Sequence, residues 1–138
     1  SLTAQAAAQA VHISVTGTAG TVFGVRRLLY EIARNLCENA VKYNVPGGSV
    51  TVEVTETDRD VTLLVRDTGI GIPEGDQSRV FERFYRVDKS HSRAIGGTGL
   101  GLSIVKHAVA YHHGTLRLES QPGKGTVITV TLPKKPTE

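Results

Sequence analysis

"GSVTVEVTETDRDVTLLVRD", residues 48–67, holds two β-branched runs of alternating apolar and polar residues, separated by Asp58-Arg59. A period of two is the pattern of a half-buried strand. Two such runs this close must pair antiparallel, because a parallel neighbour needs a crossover of about a dozen residues or more. The segment predicts a hairpin, although Asp-Arg is not a favoured turn pair. A second hairpin is predicted where "TLRLES", a "QPGKG" turn and "TVITVTLP" follow one another over 115–133. A doubly wound parallel sheet requires strict strand–helix alternation and is excluded by these hairpins.

Outward from the first hairpin, "VHISVT" at 11–16 predicts another strand, and 22–44 a long helix broken at "NVPGG". On that helix Leu29, Ile32, Ala33, Leu36, Cys37 and Ala40 share an apolar stripe, with Glu31, Asn35, Glu38, Asn39 and Lys42 beside it. Residues 76–85 predict a short helix carrying Phe81 and Phe84, and 86–98 a polar mobile loop. Residues 100–113 predict a second long helix, ended by Gly114. "KKPTE" predicts a frayed tail. The fold class expected is α/β, a two-layer sandwich of a mixed, mostly antiparallel sheet with helices on one face.

The 138 residues suit one domain spanning 1–138. The net charge of +3 comes without basic runs or interleaved aromatics, so no nucleic-acid partner is expected. Cys37 stands alone, which excludes an internal disulfide and suits a reducing compartment. No apolar run approaches the ~18 residues of a membrane span. "SLTAQAAAQA" lacks the features of a signal peptide. The chain begins at Ser, and a fragment of a longer protein is expected.

"GGTGLGLSIV", residues 96–105, places four glycines before a helix. The spacing fits neither a dinucleotide fingerprint nor a P-loop, since Leu102 stands where either motif needs Gly or Lys. Two readings stay open: an anion site at a helix N-terminus, or a flexible tether before a core helix. Asn35, Asn39 and Lys42 share one helix face. An amide oxygen suits Mg²⁺ and a lysine suits phosphate, while a merely solvated face is the alternative. Asp67 ends a strand before two glycines. It is placed either to accept a hydrogen bond from an exocyclic amine such as adenine's, or simply to start an Asp-Thr-Gly turn.

Together "NLCENAVKYN", "DTGIGI", "FERFYR" and "GGTGLGL" resemble the N, G1, F and G2 boxes of bacterial sensor histidine kinases, in the right order and over nearly the whole chain. The N, G1 and G2 boxes are shared with gyrase-B, Hsp90 and MutL-type ATPases, and the F box favours the kinases. The resemblance implies the Bergerat ATP-binding fold, with ATP and Mg²⁺ as cofactors. It implies that Asn39 binds the metal, with Asn35 its polar companion, and that Lys42 lies near the phosphates. Tyr43 would lie beside the adenine and ribose, and Asp67 would bond the adenine amine. Gly69 and Gly71 would let the backbone approach the base, and Arg86 would stand near the γ-phosphate. Gly97, Thr98, Gly99, Leu100 and Gly101 would hinge a lid and approach the phosphates. Asn35, Lys42 and Arg86 are the catalytic candidates. Many relatives carry an aspartate where this chain has Val25, which puts local capping in doubt.

The function implied is transfer of the γ-phosphoryl group of Mg-ATP to a histidine on a helical hairpin domain, for relay to a response regulator. The setting implied is the cytoplasmic side of a membrane-anchored kinase, with no membrane contact by this fragment. The superfamily's ATPases place a glutamate where Asn35 stands, and an amide is no general base. That disfavours the alternatives of a hydrolytic ATPase and, with the boxes intact, of a non-catalytic ATP-binding module. No histidine of this chain has the context of the acceptor, so ATP binding without phosphorylation in cis is expected.

Overall fold

A computed structural model describes residues 1–87 and 100–135. Strands β1 (His12–Gly17), β2 (Ser49–Glu56), β3 (Asp60–Asp67), β4 (Thr115–Gln121) and β5 (Gly125–Pro133) form one sheet in the order β1-β2-β3-β5-β4. Only β1 and β2 pair in parallel, with helix α2 (Arg26–Lys42) lying between them in sequence. Helix α3 (Gly101–Tyr111) leads into β4. The mixed, mostly antiparallel sheet expected from the two hairpins is the one observed.

The register explains why one face carries the helices. Val52, Val65, Ile128 and Leu118 align in a row across the sheet, and Val54, Leu63, Val130 and Leu116 in the next. Most of these side chains join Ile32 and Leu36 of α2 and Val105 and Val109 of α3 in one core. Each fully buried aliphatic side chain contributes about 1.5–3 kcal/mol. The alternate positions, Thr51, Arg66, Thr129 and Arg117 among them, form the polar outer face. The inner row next to Val65 reads Val50, Asp67, Thr126, Ser120. There the core face turns polar, at the end of the sheet where the functional cavity lies.

The 48–67 hairpin closes without a favoured turn pair because Thr57 does the work. Its hydroxyl accepts the N–H groups of Arg59 at 3.3 Å and Asp60 at 3.0 Å. On α2 the stripe is as expected for Ile32, Leu36 and Ala40, which are buried. Val41, at 0% exposure, belongs to the core as well. Leu29 and Cys37 pack against the same core from its edge, and Ala33 and Cys37 also face helix α1 (Leu2–Ala8), which the sequence reading did not anticipate. Ser1 caps α1 by accepting the Ala4 N–H, and the alanines behind it are strong helix formers. Burial pushes the Cys37 thiol pKa up.

Three expectations are corrected. Residues 76–85 form no α-helix. A 3₁₀ turn at Glu74–Asp76 gives way to successive i→i−3 bonds, and Phe84 sits at φ +65°, which no α-helix accommodates. A left-handed non-glycine residue costs roughly 1–2 kcal/mol. The left-handed residue ending α3 is His113, not Gly114. His113 and Gly114 donate to Ala110 and Val109 respectively, the pair of bonds of a Schellman cap. Lys134 is not frayed, since its N–H donates to the Arg59 carbonyl and its Nζ lies 3.1 Å from Glu56.

The cap missing at Val25 is supplied from the far end of the chain. Buried His112 accepts the Val25 N–H at Nε2, 3.1 Å away, and its Nδ1 lies 2.8 Å from the Ala108 carbonyl. These partners assign the neutral Nδ1–H tautomer. His112→Ala removes both bonds and leaves the Val25 N–H without its acceptor, which should cost about 2 kcal/mol. Urea denaturation checks this, and a loss under about 0.5 kcal/mol would show that the cap contributes little.

Candidate functional site

A cavity of about 370 Å³ opens between the sheet, α2 and α3. That lies in the range of small-molecule sites. Its apolar lining includes Leu36, Val65, Ile70, Ile72, Val80 and Ile128, a surface suited to a flat ring. The polar groups come from four directions. The sheet gives Asp67 and Thr126; α2 gives Asn35, Glu38, Asn39, Lys42 and Tyr43; the start of α3 gives Leu100 and Gly101; and the segment after the 3₁₀ turn gives Tyr85 and Arg86.

Asp67 ends β3 on the inner face, where no further apolar row follows. Its Oδ1 accepts the Gly69 N–H at 2.9 Å and the Thr126 N–H at 3.2 Å. Among the described residues no hydrogen bond reaches Oδ2, which leaves an oriented acceptor in an apolar slot. Burial pushes the carboxyl pKa up, and the two N–H groups pull it partly back. Thr126 was missed in the sequence, although it directly follows the "GKG" turn. Its hydroxyl lies 2.8 Å from that of Ser120, which in turn accepts the Ile72 N–H at 2.8 Å. Asp67, Thr126, Ser120 and the loop after Asp67 are thereby one network.

That loop is also pinned to α2. The Ile70 N–H donates to the Tyr43 carbonyl at 3.0 Å. A Cβ on Gly69 would stand 2.3 Å from the same carbonyl, and one on Gly71 2.1 Å from that of Gln121. Both glycines are thus required by approach to the protein's own backbone. Gly71 lines the cavity and Gly69 lies beneath it, buried.

On α2, the Asn35 Nδ2 donates to the Glu31 carbonyl at 2.8 Å and to the Glu31 carboxylate at 3.0 Å. Its Oδ1 is thereby turned toward α3, where a Cβ on Gly101 would lie 3.2 Å from it. Asn39, one turn on, lines the cavity, and among the described residues no hydrogen bond engages its amide. Lys42 completes the row. Glu38 is paired with Arg34 at 3.1 Å. Among the described residues no side chain caps the N-terminus of α3, and its first residues, Leu100 and Gly101, bring the positive end of the helix dipole to the cavity wall. Asn35, Asn39, Lys42, Tyr43, Asp67, Gly71, Arg86, Leu100 and Gly101 are therefore brought together. Gly97, Thr98 and Gly99, with most of the loop predicted at 86–98, lie outside the described residues.

The model of histidine kinase-, DNA gyrase B- and HSP90-like ATPases matches residues 24–136. The chain belongs to this family. It is 47% identical over 133 residues to the sensor-like histidine kinase SenX3 of Mycolicibacterium smegmatis, covering 94% of this chain and 35% of that protein. The mycobacterial sensor histidine kinase MprB superposes with a TM-score of 0.82 at 36% identity, over 99% of this chain and 92% of that one. Full-length ShkA in complex with AMPPNP matches with a TM-score of 0.81 at 27% identity, covering 96% of this chain and 27% of that one. The chain spans about a third of the length of SenX3. Among the described residues no helix is long and apolar enough to cross a membrane.

Proposed function

We propose that residues 1–138 form the catalytic ATP-binding domain of a sensor histidine kinase. The domain binds Mg-ATP and presents its γ-phosphoryl group to a histidine on a helical hairpin domain outside this chain, for relay to a response regulator. A cytoplasmic position in a membrane-anchored kinase goes with that role. The observation that carries the proposal is Asp67: a carboxylate with one oxygen fixed by two N–H groups, on a cavity wall shared with Val65, Ile70 and Ile128, is an acceptor suited to one amine. The AMPPNP bound by ShkA supports the same ligand class.

Adenine stacks in the apolar slot beside Tyr43, its amine donating to Asp67. The phosphates extend toward Lys42, Arg86 and the start of α3. Asn39 is the residue that would hold Mg²⁺. A neutral amide oxygen without a partner among the described residues fits a cation whose other ligands are phosphate and water, and those residues offer no cluster of three acidic, His or Cys side chains. When bound, the ion neutralises phosphate charge. Asn35 presents an amide where hydrolysis would need a base, and the nearby Glu38 is held by Arg34. Transfer to a neutral imidazole needs no strong base. Its free lone pair forms the N–P bond as the bond from phosphorus to the oxygen bridging to ADP breaks.

Titrating ATP with Mg²⁺ and again with EDTA tests the assignment. Wild-type affinity should fall on chelation. Asn39→Ala should bind Mg-ATP at least about tenfold more weakly yet match wild type in EDTA. A variant that keeps the full Mg²⁺ dependence would remove Asn39 from the metal site, and a wild-type chain that binds no ATP would overturn the proposal.

A further inference from the structure

The segment between the 3₁₀ turn and residue 87 has little regular structure, yet it brings Tyr85, Arg86 and Val87 to the cavity wall. Its middle is strained, because Phe84 is held left-handed with 61% of its surface exposed. A bulky residue does not keep that conformation unless its surroundings hold it there. Exposed Phe84 buries too little to hold itself, and the Arg83 guanidinium lies over its ring at 5.3 Å. The anchor stands one residue later. The Tyr85 hydroxyl donates to the Asp76 carboxylate, and the Arg79 guanidinium stacks 4.5 Å from the Tyr85 ring centroid while pairing with Glu82 at 2.9 Å. The phenol pKa is pushed up, first by that hydrogen bond. Asp76 belongs to the 3₁₀ turn, and Gln77 next to it donates from Nε2 to the carbonyls of Ile72 and Ser120. The anchor is therefore continuous with the network that fixes Asp67.

We infer that Asp76 is a positioning residue for the nucleotide site: by accepting the Tyr85 hydroxyl it holds the Phe84 turn in its left-handed form and keeps Arg86 on the cavity wall, where it meets the terminal phosphate. The inference rests on the Mg-ATP reading above. It makes the F-box turn a strained arm with a defined fastening. Releasing the fastening lets Phe84 relax and lets Arg86 drift from the γ-phosphate, so discrimination between ATP and ADP is lost while the adenine and its inner phosphates are still gripped.

The test compares wild type, Asp76→Asn, Asp76→Ala, Tyr85→Phe, Arg86→Ala and the Tyr85→Phe/Arg86→Ala pair, titrating each with Mg-ATP and Mg-ADP and recording a melting curve. Tyr85→Phe and Asp76→Ala should each lower the preference for ATP over ADP by about three- to tenfold, and Asp76→Ala, at a position outside the cavity lining, should keep ADP affinity within about twofold of wild type. Asp76→Asn retains an acceptor oxygen and should keep most of the preference. In the Arg86→Ala background Tyr85→Phe should change nothing further, which separates action through Arg86 from direct contact by the phenol. Equal loss of ATP and ADP binding, an unchanged ratio in Tyr85→Phe, or an additive double variant would overturn the inference while leaving the Mg-ATP reading of the wild-type chain intact. A wild-type chain that binds neither nucleotide would instead sink the reading on which it rests.

Discussion

Asp67→Asn is expected to weaken ATP binding by about 30- to 150-fold while leaving the chain at least as stable at neutral pH. The substitution keeps the shape. An asparagine Oδ1 can still accept the Gly69 and Thr126 N–H groups, so the loop anchor survives. The second oxygen becomes an NH₂ donor. The adenine amine is a donor too, so a buried hydrogen bond is replaced by two opposed donors, at about 2–3 kcal/mol. Guanine carries an acceptor oxygen at the equivalent ring position, so the preference for ATP over GTP should narrow. Stability moves the other way. Burial raises the folded-state pKa of Asp67 above its unfolded value. Such a group favours the fold when protonated, and the contribution is lost as pH rises through the folded pKa. At neutral pH wild type therefore bears a desolvated carboxylate that the variant lacks. The stability difference should shift in favour of the variant as pH rises from below the ordinary aspartate range toward neutrality. Titration with ATP and GTP, beside melting curves across that range, measures both halves. Wild-type ATP affinity in the variant would remove Asp67 from the adenine site. A variant that loses ground as pH rises would contradict the burial argument.

How much of this was legible in the sequence depends on the distance over which each cause acts. The 48–67 hairpin was legible because alternation is written in adjacent residues, and the register it sets carries Asp67 onto the inner face at a sheet end. The Asn35, Asn39 and Lys42 row was legible because helical spacing alone puts it on one face. Long-range contacts were not. The Val25 cap comes from His112, 87 residues away, and nothing at either position announces the other. Thr126 gains its place by pairing with Asp67 across β3 and β5, which no local pattern encodes. The short helix predicted at 76–85 failed because two phenylalanines three apart resemble a helical face, whereas Asp76 and Tyr85 hold the backbone in another form. Helix α1 had a local signal, a capping serine before an alanine-rich run, which a search for targeting features passes over.

The glycines of the loop after β3 show the same division, and Gly71→Ala tests it with a large effect. The resemblance places Gly71 beside a base, and the geometry puts it both on the cavity wall and against the protein's own backbone. Its φ is +73°, and a Cβ would stand 2.1 Å from the Gln121 carbonyl oxygen and 2.9 Å from the Pro122 Cα. Two costs therefore add. An alanine forced left-handed loses roughly 1–2 kcal/mol. The clash is with backbone, so relief means moving the β4–β5 turn away and stretching the bond from the Gly123 N–H to the Ile70 carbonyl, now 2.8 Å. Together the loss should reach about 3 kcal/mol or more, among the larger single-residue effects. For a chain of this length that corresponds to roughly 10–15 °C in Tm. Gly75→Ala is the internal comparison: no atom lies within 4 Å of its Cβ position, and its stability should change by less than about 0.5 kcal/mol. Because the displaced turn leads into Gly125 and Thr126, ATP affinity in Gly71→Ala should fall even where the chain is still folded. Chemical denaturation and nucleotide titration of both variants separate the two losses. A Gly71→Ala chain as stable as Gly75→Ala would mean that the loop yields without cost, and that its glycine answers to the ligand after all.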